Sequence, residues 1–225
     1  MTTTPRLRRR ALAAALTASW LTLTACGATQ PGQADQSPSG QNQSAQNQGG
    51  QVQSGQNQSE SRQAAATEVL DRYGLADMDA RGVIEHLDTM PVAERPATLL
   101  ASVQPTELVL TDTAGGSIAT LPMPDEHFYL AVAPYEDQTH DCLFHSLTTC
   151  LGEMAGEPVD ITVTDEAGQT VVDETRTAYD NGFVGLWLPR DLTGTLTVEH
   201  DGKSSTVPIA TGDDDLTCLT TAHLT

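Results

Sequence analysis

The chain has 225 residues, with 30 acidic and 11 basic side chains and a formal net charge of −19. Four of the basic residues lie within the first ten positions, which leaves too few elsewhere to form a basic patch. This balance argues against nucleic acid and anionic lipid headgroups as partners, and most of the scattered carboxylates are expected to be solvated.

Residues 1–25 have the pattern of an export signal. A basic start precedes the apolar stretch ALAAALTASWLTLTA, which is too short and too rich in Ala and Thr to favour a permanent membrane span. The stretch ends in LTAC, which is similar to the bacterial lipobox, where a peptidase cuts before a diacylglycerol-modified cysteine. We therefore expect Cys26 to be lipidated, and the protein to be exported and anchored on the outer face of the cytoplasmic membrane or in the periplasm. The alternative is an ordinary signal peptide with a chance cysteine.

Residues 26–65 are predicted to be the lipidated cysteine followed by a disordered tether. Beyond Thr29 the segment consists mainly of Gln, Ser, Asn and Gly, and SGQNQS occurs at 39–44 and again at 54–59. Such a composition cannot bury enough apolar surface to offset the entropy lost on ordering. We expect this tether to hold a globular domain away from a membrane.

Residues 66–104 are predicted to form a small helical part. Asp79 can cap ARGVIEHLDTM, in which apolar residues recur with helical spacing, and Pro91 ends the helix. VAERPATLLASV then predicts a second, proline-interrupted helical segment that reaches residue 103.

Residues 105–225 are predicted to be a β-rich metal-binding domain. Short alternating runs are divided by Gly, Asp and Asn turns: ELVLTD, HFYLAVAP, PVDITVTD, QTVVDET, GFVGLWLP and TLTVEHDGKSSTVPIA. TDEAGQT and EHDGKSS are hairpin signals. The predicted fold class is α+β, with the small helical N-terminal part followed by an antiparallel β-sandwich-like domain.

The cysteines provide the strongest indication of function. They are Cys26, Cys142, Cys150 and Cys218. With Cys26 acylated, three thiols remain in an exported domain, where cysteines usually oxidise in pairs. THDCLFHSLTTC at 139–150 adds His140 and His145. Thiolates with imidazole suit Cu(I) and next Zn(II), and the spacing alone does not separate these metals. A structural disulfide beside a spare thiol is the alternative.

Three stretches carry a family resemblance. They are HFYLAVAPYEDQTHDCLFHSLTTCLGEMAGEPV at 127–159, DNGFVGLWLPRDLTGTLTV at 180–198 and DDDLTCLTT at 213–221. The motifs APY, THxC, HSLTTCxGE, LWLPR and TCLTT, in that order, resemble the CueP family of bacterial periplasmic or surface copper-binding lipoproteins. The resemblance runs from Leu75 to the C terminus.

The resemblance implies copper binding in the cell envelope and protection against copper stress. It also implies reduction of Cu(II) to Cu(I) and transfer of copper to a superoxide dismutase, as in some members, and a homodimer formed through the N-terminal part. The family's cysteines fall on Cys142, Cys150 and Cys218, and its metal-associated histidines on His140 and His145. The remaining histidines are expected at the surface or at the start of a strand.

Our hypothesis is a thiolate cluster for Cu(I), assisted by His145 and His140, whose imidazoles also suit Cu(II). Two thiols that lose two electrons reduce two Cu(II) ions and close one disulfide, stoichiometrically unless a thiol reductant reopens it. We therefore expect a metal-binding protein, with a reductant or a copper-accepting protein as partner, and leave open whether it is an enzyme.

The rival is a thiol–disulfide exchange protein with incidental metal binding, although the chain has no Cys-x-x-Cys motif. A structural zinc module is the third interpretation. Trp187 and Phe183 are expected in the core, with the shielding of a metal as the alternative. Glu153 is expected either to orient a ligand or to face solvent.

Overall fold

The computed structural model describes residues 60, 61 and 63–225. The predicted signal peptide, Cys26 and the tether as far as residue 59 lie outside these residues. Within the described part, no helix combines the length and the apolar character that crossing a membrane requires.

Helices come first in the described chain and strands follow. Residues 60, 61 and 63–72 are helical (α1), so the last residues of the range assigned to the tether belong to this helix. Helix α2 is Ala80–Asp88, and a 3-10 turn covers Val92–Glu94. The strands are β1 Leu99–Val103, β2 Glu107–Asp112, β3 Ile118–Pro122, β4 His127–Val132, β5 Pro158–Asp165, β6 Thr170–Thr177, β7 Val184–Pro189, β8 Thr193–His200, β9 Lys203–Ala210 and β10 Cys218–Leu219.

Helix α2 begins where the sequence predicts. The Asp79 side chain accepts a hydrogen bond of 2.8 Å from the backbone N–H of Gly82, which satisfies one of the free donors of the first turn. Val83, Ile84 and Leu87 are buried on one face of the helix. That face packs into a hydrophobic core that α2 shares with β1, β2 and β3.

The strands form three sheets, with the orders β1-β2-β3, β10-β4-β7 and β6-β5-β8-β9. β10 pairs parallel with β4, whereas the other strand pairs are antiparallel. Both predicted hairpins are present. Asp201 and Gly202 form the β8–β9 turn and have φ angles of 48° and 80°. Two positive φ angles are typical of the tight hairpin turn that matches the twist of the strands.

The sheet of β10, β4 and β7 is buried on both faces, which explains the nearly continuous apolar run of β4. Tyr129 and Ala131 face a core shared with the helices and β1–β3. Phe128, Leu130 and Val132 face a second core shared with the four-stranded sheet. The predicted α+β class with sandwich-like sheets is therefore confirmed.

The helical prediction is wrong for the end of the N-terminal part. Leu99, Ala101 and Val103 are buried, whereas Leu100 is 45% exposed, so burial here has the period of a strand. This segment is β1, and its pairing with β2 outweighs the helical propensity of its Leu and Ala residues. β3 and β10 were also not predicted.

Candidate metal centre

The candidate centre lies where a long connection meets two sheet edges. Cys142 and Cys150 belong to the connection between β4 and β5, while Cys218 begins β10 and pairs with Ala131 of β4. The N–H of Val103 donates to the carbonyl of His145 at 2.8 Å, and Ser146 forms a bridge with Ser102. Strand β1 therefore holds the histidine part of the connection in place.

The three cysteines predicted to act together are neighbours in space. Cys142 and Cys218 form a disulfide with Cα atoms 5.7 Å apart, and Cys150 is a free, half-buried thiol. The sulfur of Cys150 lies 3.7 Å from that of Cys142. Its distance from the sulfur of Cys218 is within 4.8 Å.

Both predicted histidines border these sulfur atoms. Potential ligand atoms of His140, Cys142 and Cys150 lie within 4.8 Å of one another, and so do those of His145, Cys150 and Cys218. His145 is fully buried, and its Nδ1 is 4.0 Å from the Cys218 sulfur. Cys150 belongs to both groups and therefore occupies the middle of the centre.

A buried carboxylate lies behind His145. Asp88 accepts a hydrogen bond of 2.9 Å from His145 Nε2, and Tyr129 and Asn181 donate to the same carboxylate at 2.5 Å and 2.7 Å. Burial alone would raise the pKa of Asp88, but the charge of His145 and these three hydrogen bonds keep it below its ordinary value. Burial likewise opposes ionisation of His145, but the Asp88 charge raises its pKa to about 9.

The free thiol has an environment that favours its thiolate. Burial would raise the pKa of Cys150, but the hydrogen bond and charge of His145, together with the Ser146 N–H, hold this pKa below its ordinary value. The Ser146 nitrogen lies 3.3 Å from the Cys150 sulfur. Arg95, whose side chain is 4% exposed, donates to the Cys150 carbonyl at 3.0 Å. Thiolates are both the nucleophilic and the metal-binding form of cysteine.

The centre has an apolar wall at its histidines and a cleft at its disulfide. Phe183 is fully buried and packs against His145 with ring centroids 4.5 Å apart, and against the edge of His140 at 6.2 Å. Cys142 and Cys218 also line a cleft of about 270 Å³. The disulfide is therefore accessible, whereas His145 is shielded from water.

Comparison with known proteins gives the family. The sequence profile described as "Periplasmic copper-binding protein CueP" matches residues 82–223. The chain belongs to the CueP family. A solved structure titled "Crystal Structure of S.CueP" is 43% identical, covers 71% of this chain and 96% of its own chain, and superposes with a TM-score of 0.66. Among curated proteins, none matches the sequence.

Membership of the CueP family confirms the predicted resemblance. The family is one of periplasmic copper-binding proteins, so predicted copper binding and export both fit it. The match includes the five predicted ligands of this CueP-family chain. The Cu(I) assignment and the ligand set remain predictions.

Glu153 and His223, two residues outside the predicted ligand set of this CueP-family protein, have contacts of their own. Glu153 uses one carboxylate oxygen to accept hydrogen bonds from the backbone N–H groups of residues 136, 137 and 138. Glu153 therefore holds the segment that leads to His140 in place. The same hydrogen bonds, chiefly the one from Asp137, lower the pKa of Glu153. His223 is exposed and stacks on Tyr135, and it belongs to neither group of potential ligand atoms around the sulfurs.

Two aromatic residues and one carboxylate remain to be compared with the sequence predictions. Phe183 lies in the core and also borders the centre, while Trp187 is partly buried beside Tyr129 and Arg81. Asp88 was missed in the sequence, although it follows Ile84 by four residues and therefore lies on the buried face of α2. A carboxylate in the apolar stripe of a helix is the signal that could have revealed it.

Proposed function

We propose that this CueP-family protein binds Cu(I) through the thiolates of Cys142, Cys150 and Cys218, with His145 Nδ1 as a further ligand. His140, which is less buried than His145, assists and takes up incoming Cu(II). The Cys142–Cys218 disulfide is the oxidised form of the same site.

The observation that carries the proposal is the convergence of three sulfur atoms and an imidazole nitrogen in a part-buried pocket. Groups of these atoms lie within 4.8 Å of one another although Cys142 and Cys218 are 76 residues apart in sequence. Soft thiolates select Cu(I) among the common envelope metals, and imidazole suits either oxidation state. The lowered pKa of Cys150 favours the deprotonated form in which a cysteine binds metal.

The disulfide agrees with a reducing role. The thiolates of Cys142 and Cys218 each give one electron to a Cu(II) ion, a bond forms between their sulfur atoms, and two Cu(I) ions result. The oxidised site then retains a single thiolate, Cys150, and its affinity for Cu(I) falls. A thiol reductant must reopen the disulfide before the site binds or reduces again, so the reaction is stoichiometric without that partner.

A thiol–disulfide exchange protein is the second candidate, because a low-pKa thiol lies beside a disulfide. Direct attack of Cys150 on Cys142 requires the three sulfur atoms in a row, with the attacking and leaving atoms on opposite sides. Here Cys150 is near both bonded sulfurs, so the three atoms form a triangle. A triangle suits a shared metal ion better than an exchange step.

The proposal also covers the location of the protein, its assembly and its partner. Export and lipidation at Cys26 place the domain on the outer face of the cytoplasmic membrane or in the periplasm, with the segment between Cys26 and α1 as the tether. A homodimer and a copper-accepting partner belong to the same proposal.

The test is a Cu(I) competition titration of the fully reduced protein against bathocuproine. Cys150→Ser and His145→Gln should both weaken Cu(I) binding. His223→Gln should leave it unchanged, because His223 is exposed and belongs to neither group of potential ligand atoms. Retained affinity in Cys150→Ser would defeat the assignment. Zinc in the purified reduced protein with no preference for copper would favour the structural zinc interpretation, and turnover by a redox partner without bound copper would favour exchange.

A further inference from the structure

Asp88 has no role in the function proposed above, yet it is among the most completely enclosed carboxylates of the described chain. It is the last residue of α2, none of it is exposed, and His145, Tyr129 and Asn181 all donate hydrogen bonds to it. Burying an ionised carboxylate is costly unless its oxygens are satisfied. An arrangement of this kind is therefore specific rather than incidental.

The hydrogen bonds to Asp88 decide which nitrogen of His145 carries a proton. An ionised carboxylate only accepts hydrogen bonds, so the Nε2 atom at 2.9 Å must bear the hydrogen. In the neutral imidazole the lone pair is then on Nδ1. Nδ1 is the nitrogen that faces Cys218, at 4.0 Å.

The surrounding contacts keep both partners in this orientation. The backbone N–H of His145 donates to the Thr217 hydroxyl at 3.1 Å, and its carbonyl accepts from Val103. Asn181, whose side-chain oxygen accepts from the Phe183 N–H, presents its amide nitrogen to Asp88. The backbone of His145 and the carboxylate of Asp88 are therefore both held in place by further contacts.

We infer that Asp88 is a positioning residue of the copper site, which holds His145 in the Nε2–H tautomer so that the Nδ1 lone pair is directed at the metal. This inference rests on the proposed function, because it assumes that His145 is a ligand. Removal of such a hydrogen-bonding partner behind a ligating histidine typically costs about 10–100-fold in metal affinity. The sequence places Asp88 54 positions before Cys142, so only the fold brings them together.

The experiment compares Asp88→Asn with Tyr129→Phe in the reduced full chain. The asparagine amide can turn either its oxygen or its N–H towards the ring, so the Nε2 proton is no longer required. Tyr129→Phe also removes one hydrogen bond from the same carboxylate but leaves the acceptor that faces His145. It is therefore a matched control for general loosening of the network.

Two measurements distinguish positioning from a merely structural role. In the metal-free reduced protein at about pH 10, where His145 is largely neutral, the ¹⁵N shifts of its ring report the tautomer directly. We expect the Nε2–H form in the wild type and in Tyr129→Phe, and an admixture of Nδ1–H in Asp88→Asn. In the bathocuproine titration, Asp88→Asn should raise the Kd for Cu(I) by about 10–100-fold, but add nothing in a His145→Ala background.

The outcomes separate this inference from the function on which it rests. An unchanged tautomer in Asp88→Asn, or an equal loss of affinity with and without His145, would overturn the positioning role and leave the copper site intact. If His145→Ala alone leaves Cu(I) affinity unchanged while Cys150→Ser abolishes it, the histidine ligand is wrong and the inference fails with it. Should Asp88→Asn fail to fold, the wild type still tests the inference, because an Nδ1–H ring of His145 in its ¹⁵N spectrum would overturn the positioning role.

Discussion

Reduction of the Cys142–Cys218 disulfide should destabilise the protein by an amount that follows from the chain separation it closes. The two cysteines are 76 residues apart, and the entropy of closing a loop of this length in the unfolded chain corresponds to about 4.5 kcal/mol at room temperature. Because typical domains are stable by only about 5–15 kcal/mol, this is a large part of the whole.

The assay is urea unfolding of oxidised and reduced protein, followed by the fluorescence of Trp187, which is partly buried in the folded domain. Cys150→Ser is the matched variant, because it removes a neighbouring sulfur and leaves the bond. We expect the variant to lose as much free energy of unfolding on reduction as the wild type. Addition of Cu(I) at about 100 times its Kd should return about 2.7 kcal/mol to the reduced wild type, since the metal binds only the folded site.

Two results would refute this reasoning. If oxidised and reduced protein unfold within about 1 kcal/mol of each other, the disulfide does not constrain the unfolded chain as the loop length requires. If Cu(I) stabilises reduced wild type and reduced Cys150→Ser equally, the metal does not bind at the junction of the three sulfur atoms.

Three further predictions concern the surroundings of the site. In the folded protein the pKa of His145 is raised from 6.5 to about 9. The contribution of its charge to stability is therefore complete below pH 6.5 and is lost as the pH rises through 9. The unfolding free energy that His145→Gln costs should accordingly shrink over that range. Phe183→Leu and Phe128→Leu should each cost about 1–2 kcal/mol by urea unfolding, but only Phe183→Leu, which alters the wall beside His145, should also weaken Cu(I) binding. Glu153→Gln replaces a charged acceptor by a neutral one, so hydrogen exchange at the amides of residues 136–138 should become faster, and unchanged rates would show that Glu153 does not hold this segment.

Residues whose type alone indicates chemistry were predictable from the sequence. The chain has only four cysteines and six histidines, and a cluster of these residue types already favours a soft metal. β5 was also predicted because its alternation is regular and one of its faces is buried. The local pattern in these cases agrees with the tertiary structure.

The features that were missed depend on contacts far away in the chain. β1 contains residues that also suit a helix, and only its pairing with β2 and with the segment around Ser146 makes it a strand. β10 is two residues long and is defined by its parallel pairing with β4. Asp88 is ordinary in composition, and its importance comes from Tyr129, His145 and Asn181, which approach it from three other parts of the fold.

X-ray absorption spectroscopy of the reduced protein loaded with one Cu(I) tests the copper site most directly. We expect a metal environment dominated by sulfur, with three sulfur scatterers and a nitrogen, and the loss of one sulfur in each of Cys142→Ser, Cys150→Ser and Cys218→Ser. A spectrum that Cys218→Ser leaves unchanged, or one with nitrogen and oxygen scatterers alone, would contradict a site in which all three thiolates hold the metal.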